Sequence, residues 1–189
     1  MRKAYHLFFA FLVFWCANSY GQNVQVKNTE TFISYFTSIK EIKNYFVLKD
    51  TLETIGARVK KSAAITPDNK NILKGLYDIT QQQSEDLYKM IVADLMNKDK
   101  RQLIMQRPDA YVETIKANLD NIKNSGTAFI NQYKQVTGDA RAFALLFILF
   151  KFLLPVVKEF VTETLDNLVR QKLDKYLKPQ IVIKPWTDL

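Results

Sequence analysis

The stretch from residue 107 to residue 138, RPDAYVETIKANLDNIKNSGTAFINQYKQVTG, decides the fold class. Apolar side chains, with one glycine among them, recur there in alternating steps of three and four residues over more than three heptads. The members of this stripe are Val112, Ile115, Leu119, Ile122, Gly126, Phe129, Tyr133 and Val136. Such spacing is typical of coiled-coil-like packing and predicts a long amphipathic helix that packs against other helices.

Start and stop signals bound this helix. The motif Arg107-Pro108-Asp109 puts proline at the first helical position and an acidic side chain at the positive helix end. The motif Thr137-Gly138-Asp139 is a stop signal. A second Pro-Asp start, Thr66-Pro67-Asp68, lies 41 residues earlier. The two starts suggest duplicated helical hairpins, although the sequences between them do not match well enough to indicate a repeat.

A first helix is predicted to begin at Asn28 or Thr29. Its apolar side chains follow steps of three and four residues, with one shift near Leu48. They are Phe32, Phe36, Ile39, Ile42, Phe46, Leu48, Leu52, Ile55 and Val59. Gly56 weakens the later half by about 1 kcal/mol relative to alanine, so a break at Gly56 is an alternative to one continuous helix.

A second helix is predicted to start at Pro67. Its apolar side chains are Ile72, Leu76, Ile79, Leu87, Met90, Ile91 and Met96. Residues 81–84, Gln-Gln-Gln-Ser, interrupt this series and indicate either a solvated stretch or an imperfect packing seam. Residues 97–101, Asn-Lys-Asp-Lys-Arg, are predicted to form a charged hinge or a frayed turn.

Residues 142–157, AFALLFILFKFLLPVV, are the most apolar stretch after the N-terminal segment, and Lys151 is their only charge. On an insertion scale, the 12 Leu, Ile, Val and Phe residues outweigh one central lysine at roughly +3 kcal/mol. A helix of 16 residues rises only about 24 Å, however, against a hydrocarbon core of about 30 Å. A membrane span, a buried core helix and a partner-binding or lipid-binding surface are therefore the three alternatives.

The helical wheel of this stretch favours a buried central helix of the bundle. One narrow face, in heptad register, carries Lys151 and Pro155 together with the flanking polar residues, and its members are Arg141, Ala144, Ile148, Lys151, Pro155, Lys158 and Thr162. A helix that is apolar on nearly all sides is typical of a bundle centre. The side chains predicted to form an interaction or membrane surface are Phe143, Phe147, Phe150, Lys151, Phe152, Leu154, Pro155 and, near the end of the chain, Trp186.

After Pro155 the same helix is predicted to become amphipathic and to end at Lys178 and Pro179. Charges of alternating sign, four residues apart, are expected to face solvent, and they are Asp166, Arg170, Asp174 and Lys178. Residues 179–189 are predicted to form an extended tail, β-prone over residues 180–186, with an exposed aromatic side chain at Trp186.

Residues 1–21 have the pattern of a cleaved secretory signal peptide. Met1-Arg2-Lys3 is basic, residues 4–17 are mostly apolar, and small residues precede the expected cleavage site between Gly21 and Gln22. The alternatives are an uncleaved N-terminal anchor and, less favoured because Trp15 precedes it, lipidation at Cys16. The Ser-Tyr-Gly-Gln ending resembles exported proteins of the Bacteroidota, so the expected location is the periplasm or cell envelope of a Gram-negative bacterium.

Cleavage would remove the single histidine, His6, and the single cysteine, Cys16. It would leave 27 − 2 = 25 basic against 19 acidic residues, a net charge of +6. The remaining chain would have no disulfide, no thiolate nucleophile, no imidazole base and no Cys/His metal site. No glycine-rich phosphate loop, G-x-S-x-G or H-E-x-x-H motif occurs either. We therefore expect no cofactor and no metal.

Two further functions are less favoured. The carboxylate pairs Glu85/Asp86 and Glu159/Glu163 suggest a peptidoglycan-cleaving enzyme, but the usual Glu-Ser catalytic dipeptide is reversed at Ser84-Glu85. The basic excess would suit nucleic acid, yet basic and acidic residues are interspersed and an exported protein rarely meets nucleic acid. Anionic lipid headgroups or acidic envelope polymers are more plausible counterparts of the positive charge.

The sequence predicts an all-α protein: an elongated helical bundle of four to five helices with coiled-coil-like hairpins, residues 22–178 forming one helical domain and residues 179–189 an extended tail. The expected function is that of an exported, non-enzymatic structural or adaptor subunit of a cell-envelope assembly of the secretion or transfer type. It would act through helix–helix contacts with a protein partner or with itself. The alternative is a membrane-active or lipid-binding protein that uses residues 142–157.

Overall fold

A computed structural model describes residues 28–138 and 166–189. The first part holds five helices: α1 (Thr29–Ser38), α2 (Lys40–Lys61), α3 (Pro67–Met96), α4 (Lys98–Gln106) and α5 (Pro108–Thr137). The second part holds one bent helix, made of α6 (Asp166–Lys172), a π-helical turn (Leu173–Leu177) and α7 (Lys178–Ile181), and then a short 3-10 turn (Trp186–Asp188). These residues contain no strand, so the predicted all-α fold is confirmed, and six helices are close to the predicted four to five.

The two longest helices, α3 and α5, form an antiparallel pair along the bundle. The Tyr111 hydroxyl lies 3.1 Å from Asp94 at one end, Ser125 donates to Gln83 at 2.6 Å in the middle, and the Tyr77 ring meets the Phe129 ring at 5.6 Å beyond it. Each helix has 30 residues and is therefore about 45 Å long. This pair gives the bundle its elongated shape.

The apolar stripe predicted on α5 is confirmed. Seven of its eight members are buried, and Val136 at the end is half-buried. Gly126 is a point of close approach between α5 and α2, because a Cβ atom there would lie 3.1 Å from the Leu52 Cδ1 atom and 3.4 Å from the Leu48 Cδ1 atom. The predicted proline start at Pro108 and the stop at Gly138, which has a φ of 67°, are also confirmed.

The predicted break in the first helix lies elsewhere. The helix is continuous through Gly56, and the interruption comes at Ile39, whose extended backbone (φ −65°, ψ 139°) separates α1 from α2. Just before it, the Thr37 hydroxyl donates to the Ile33 carbonyl at 2.8 Å and the Ser38 hydroxyl donates to the Tyr35 carbonyl at 2.6 Å. Hydroxyls that bond to nearby backbone compete with the helical pattern, which accounts for a break at this point.

The packing face predicted for α3 is wrong in its first half. Ile72 and Ile79 are 51% and 52% exposed. The side chains that pack inward are instead Leu73, Tyr77, Thr80, Ser84, Leu87, Tyr88, Ile91 and Leu95. Thr80 and Ser84 can be buried because their hydroxyls donate to the helix carbonyls of Leu76 and Gln81.

Residues 97–101 begin a helix and do not form a hinge. Asn97 ends α3 and also caps α4, since its side-chain oxygen accepts from the Lys100 amide at 3.0 Å. Thr66 caps α3 in the same way, accepting from the Asn69 amide at 3.4 Å. Short polar side chains at these positions satisfy amides that have no partner inside the helix.

The C-terminal helix extends beyond its predicted end at Lys178 and includes Pro179. Proline lacks an amide hydrogen and its ring crowds the carbonyl four residues earlier, here that of Lys175. The π-helical turn just before it widens the hydrogen-bond pattern, with the Lys178 amide donating to the Leu173 carbonyl. As predicted, Arg170, Asp174 and Lys178 are exposed.

Residues 142–157 and the N-terminal segment 1–21 lie outside the described residues. The three alternatives for residues 142–157 therefore stay predictions, as do the roles of Phe143, Phe147, Phe150, Lys151, Phe152, Leu154 and Pro155. Within the described parts of the chain, no helix combines the length and the apolar character that crossing a membrane requires.

Candidate functional site

The C-terminal tail, residues 179–189, lies in a groove between α2 and α3, which we call the tail groove. The C-terminal segment runs antiparallel to α3. Moving back along α3, the side chains of Tyr88, Ser84 and Tyr77 are hydrogen-bonded in turn to Asp174, Ile183 and Lys184. The groove brings together residues more than 100 positions apart, such as Tyr45 with Ile181 and Glu53 with Lys184, and it holds the only predicted surface residue that the structure describes, Trp186.

Apolar side chains of the tail fill the groove. Ile181 and Ile183 are fully buried, and Val182 between them is half-buried. The predicted extended tail is only partly correct: residues 179–181 are helical and belong to α7, residues 182–185 leave the helix with extended backbone at Val182, and residues 186–188 form a 3-10 turn. The Trp186 ring packs edge-on against the Tyr77 ring, with 5.3 Å between centroids and an angle of 69° between planes. Trp186, predicted to be exposed, is thus half-buried, because its ring lies against Tyr77 of α3 and close to Gly56 of α2.

Gly56 leaves the space in α2 that the end of the tail occupies. A Cβ atom at this position would lie 2.5 Å from the Leu189 Cδ1 atom and 3.4 Å from the Trp186 ring. The first distance is shorter than any van der Waals contact allows, so a Cβ atom here would require the Leu189 side chain to shift. The glycine that appeared as a weak point of the helix is a packing site in the structure.

The polar groups at the centre of the groove bind the backbone of the tail. The Ile183 amide donates to the Ser84 hydroxyl oxygen at 3.0 Å in a buried setting, and the Ser84 hydroxyl itself donates to the Gln81 carbonyl. The Tyr45 hydroxyl donates to the Ile181 carbonyl, and the Tyr77 hydroxyl donates to the Lys184 carbonyl at 2.8 Å. Side chains of α2 and α3 thereby provide the backbone hydrogen bonds that a neighbouring strand would provide in a sheet.

Lys60 binds the last turn of the tail. Its ammonium donates to the carbonyl oxygens of Trp186, Thr187 and Leu189 at 2.9, 3.0 and 2.8 Å. An ammonium has three donors, so all of them are used. Three converging carbonyls around one cation fix the position of the turn more tightly than one hydrogen bond would.

A nearly buried ion pair lies at the edge of the groove. The Lys49 ammonium is 2.8 Å from the Glu53 carboxylate, and the two side chains are 9% and 12% exposed. Glu53 also accepts the Lys184 amide at 3.0 Å and lies 3.5 Å from the Lys184 ammonium. Burial raises the pKa of the neighbouring Asp50 carboxyl, an effect that the charge of Lys49 opposes.

The two phenols of the groove stay protonated. Burial is the main reason that the pKa values of Tyr45 and Tyr77 lie well above their ordinary value of 10, and the negative charge of Glu53 adds to the shift at both. Both hydroxyls therefore remain hydrogen-bond donors at neutral pH, which suits the carbonyl oxygens that they bind.

The chemistry of this groove is that of peptide recognition. The groove offers hydrogen-bond donors for carbonyls, hydrogen-bond acceptors for amides and buried apolar surface for side chains, which together fit an extended peptide. Within the described residues, no group of three or more His, Cys, Asp or Glu side chains is placed to hold a metal ion.

Reasoning from the sequence missed Tyr45, Glu53, Lys60 and Ser84 as site residues. Only Ser84 left a signal, since residues 81–84 interrupt the apolar series of α3 without a turn residue. Of these four residues, Ser84 is buried against the tail, Gln83 accepts from Ser125 of α5 and Gln82 is exposed. Lys60 and Glu53 look like ordinary surface charges in the sequence, because the carbonyls and amides that they bind belong to a segment more than 120 residues away.

A scan of protein-family models and searches of curated proteins and of solved structures find no match to this chain.

Proposed function

We propose that this chain is an exported, non-enzymatic helical protein that serves as a structural or adaptor subunit of a cell-envelope assembly of the secretion or transfer type. Export rests on the basic, apolar and small-residue regions of residues 1–21. A role without catalysis rests on the residue types left after cleavage, which would include neither histidine nor cysteine. Contact between helices is the proposed mode of action.

The observation that carries this proposal is an exposed apolar side of α3, which the other described residues leave open. Ile72 and Ile79 are seven residues apart, lie on the same side of the helix and are half exposed. Gly75 between them has no atom near the position where a Cβ would be. A small residue between two branched apolar ones lets a second helix approach closely, and seven-residue spacing is that of a helix-packing seam.

The first experiment measures association of the mature chain, residues 22–189, by size-exclusion chromatography with light scattering over a range of concentrations. We expect a mass above that of a monomer, and we expect Ile72→Glu with Ile79→Glu to shift it toward the monomer. The matched control is Ala117→Glu with Ala128→Glu, two exposed positions on α5. A compact monomer at every concentration would contradict the proposal.

The second experiment tests export. The full chain is expressed in a Gram-negative host, and the N-terminal residue is read by mass spectrometry after cell fractionation. A chain that begins at Gln22 in the periplasmic or envelope fraction supports the proposal. An intact Met1 terminus in the cytoplasmic fraction would contradict it.

The sequence of residues 142–157 favours a second candidate function, that of a membrane-active or lipid-binding protein. Its apolar residues favour transfer into a bilayer, and Lys151 is the one residue that opposes it. If this segment inserts, Lys151→Leu should increase binding to vesicles of mixed neutral and anionic lipid and resistance to carbonate washing. Negligible vesicle binding by both the unmodified chain and Lys151→Leu would contradict insertion.

A further inference from the structure

The tail behaves toward the rest of the chain as a bound peptide does toward its receptor. Among residues 182–189, the Ile183 and Lys184 amides both donate to side chains of the body, Ser84 and Glu53, and not to backbone. The carbonyls of Lys184 and Trp186 accept from Tyr77 and Lys60. The groove therefore sets the conformation at Ile183 and Lys184, while the helical residues before them and the 3-10 turn after them also bond to their own backbone.

The groove has features that go beyond what tying down a chain terminus requires. A nearly buried Lys49–Glu53 pair is a weak source of stability, since an apolar pair of similar size would stabilise at least as well. Its carboxylate instead fixes the register of the tail, because it accepts the Lys184 amide and lies near the Lys184 ammonium. Buried polar groups of this kind are best known for specifying register and partner.

We propose that the tail groove is a peptide-binding site, and that a second copy of this chain supplies the peptide, its residues 179–189. A tail from a second copy would make the same contacts as the tail of the same chain, down to Ile183 on Ser84 and Trp186 on Tyr77. Exchange of identical segments between copies needs no new complementary surface, which makes it a low-cost route to association. The inference rests on the proposed function, because it names the partner in an assembly of this chain.

The tail of the same chain competes with a tail from outside, and the first experiment is built on that competition. A tethered segment acts at an effective concentration of about millimolar, so the groove of the unmodified chain is shielded. Ile183→Ala with Trp186→Ala in the full chain removes two of the side chains that hold its own tail. The probe is a fluorescein-labelled peptide of residues 178–189, KPQIVIKPWTDL, and its fluorescence anisotropy is measured.

We expect saturable binding of this peptide to the tail-weakened chain and at least tenfold weaker binding to the unmodified chain. Ser84→Ala with Lys60→Met, added to the tail-weakened chain, should weaken binding tenfold or more, and a scrambled peptide should not bind. Absence of binding by a tail-weakened chain with an unchanged helical circular dichroism spectrum would overturn the proposal.

A second variant keeps the test informative if the tail-weakened chain does not fold. Gly56→Ala adds a methyl group 2.5 Å from the Leu189 Cδ1 atom while improving the helix propensity of α2. Because Gly56 is part of the groove, this change would hinder a second tail as much as the chain's own, so the variant used is Trp186→Ala alone, which leaves the groove and the buried Ile183 unchanged. It should loosen the last turn of the tail in a folded chain, and peptide binding should again exceed that of the unmodified chain. Equal binding by the two chains, with an unchanged helical circular dichroism spectrum for Trp186→Ala, would overturn the proposal.

Complementation identifies the second copy as the partner. One full chain carries Ile183→Ala and Trp186→Ala, so its tail is weak and its groove intact. The other carries Ser84→Ala and Lys60→Met, so its groove is weak and its tail intact. Both chains also carry Ile72→Glu and Ile79→Glu, which remove association through that side of α3. We expect a mixture of the two to form a one-to-one complex by light scattering that neither forms alone. Peptide binding without this complex would overturn the choice of partner.

The outcomes for the groove and for the proposed function are separable. If the peptide does not bind but the mature chain still associates through Ile72 and Ile79, the groove inference fails and the function stands. If the peptide binds and complementation succeeds while Ile72→Glu with Ile79→Glu changes nothing, association rests on the tail and the helix-face contact fails.

Discussion

Ser84 joins two parts of the chain that are 99 residues apart, and it does so through one buried hydrogen bond from the Ile183 amide. Ser84→Ala removes the acceptor and leaves this amide unpaired, which costs about 1–3 kcal/mol. We expect the free energy of unfolding in urea to fall by about that amount. Thr114→Ala is the control, because the exposed Thr114 hydroxyl binds only the carbonyl of its own helix turn. A loss at Thr114 as large as that at Ser84 would contradict this interpretation.

Tyr45 and Tyr77 predict how stability depends on alkaline pH. Burial raises the pKa of both phenols in the folded chain, whereas the unfolded chain titrates near 10. Below pH 10 both states keep their protons and the stabilisation is complete. Above it only the unfolded chain releases them, so stability falls as pH rises, by about 1.4 kcal/mol per pH unit for each phenol.

Urea unfolding between pH 8 and pH 11.5 tests this dependence. Tyr77→Phe should reduce the slope above pH 10 by about 1.4 kcal/mol per pH unit, because one phenol no longer titrates. Ser84→Ala should lower stability equally at every pH, since it disturbs the same groove without removing an ionisable group. Parallel curves for Tyr77→Phe and the unmodified chain would contradict the assignment.

At the scale of whole helices, substitutions at two glycines distinguish the effect of helix propensity from the effect of side-chain packing. Gly75 lies on an exposed side of α3 with open space around it, so Gly75→Ala should stabilise by about 0.5–1 kcal/mol. Gly126 lies in α5 against α2, where a Cβ would already be 3.1 Å from Leu52. Gly126→Val should therefore destabilise by about 1–3 kcal/mol through overpacking. Thermal unfolding at low protein concentration measures both, and the same sign for both changes would contradict the packing of α2 on α5.

The helices were predictable where local signals and packing agree. The α5 stripe and the Pro-Asp starts of α3 and α5 each depend on residues within a few positions, so periodicity and capping rules find them. The break at Ile39 was not found, because apolar spacing continues across it and the hydroxyls that favour it look like ordinary surface groups. The true face of α3 was missed because Thr80 and Ser84 are polar residues in a buried row.

The tail groove could be predicted only in part, for a different physical reason. An extended apolar tail was visible in residues 179–189, but its burial depends on partners that the sequence places far away. Glu53 and Lys60 bind main-chain atoms, and main-chain atoms leave no pattern in a sequence. The spacing of residues therefore predicts an apolar tail, but only the structure shows that this tail packs in the groove between α2 and α3.

At the scale of the whole molecule, the tail is hydrogen-bonded to α2 through Tyr45, Glu53 and Lys60 and to α3 through Tyr77 and Ser84, whereas α5 packs through its own apolar stripe. This division predicts local opening of the tail at a free energy below that of global unfolding. Trp186→Ala should make the Ile183 and Lys184 amides exchange with deuterium at least tenfold faster. Amides near Ile122 in the middle of α5 should keep the rate of the unmodified chain.

Hydrogen exchange read by mass spectrometry gives both rates in one experiment. Leu103→Ala is the matched control, since the Leu103 side chain on α4 is 66% exposed and its loss should change neither region. If Trp186→Ala speeds exchange equally at Ile183 and near Ile122, the tail unfolds together with the bundle as one unit. A tail that opens only with the whole bundle could not exchange readily between folded copies, so this single comparison also bears on whether the groove can receive a second chain.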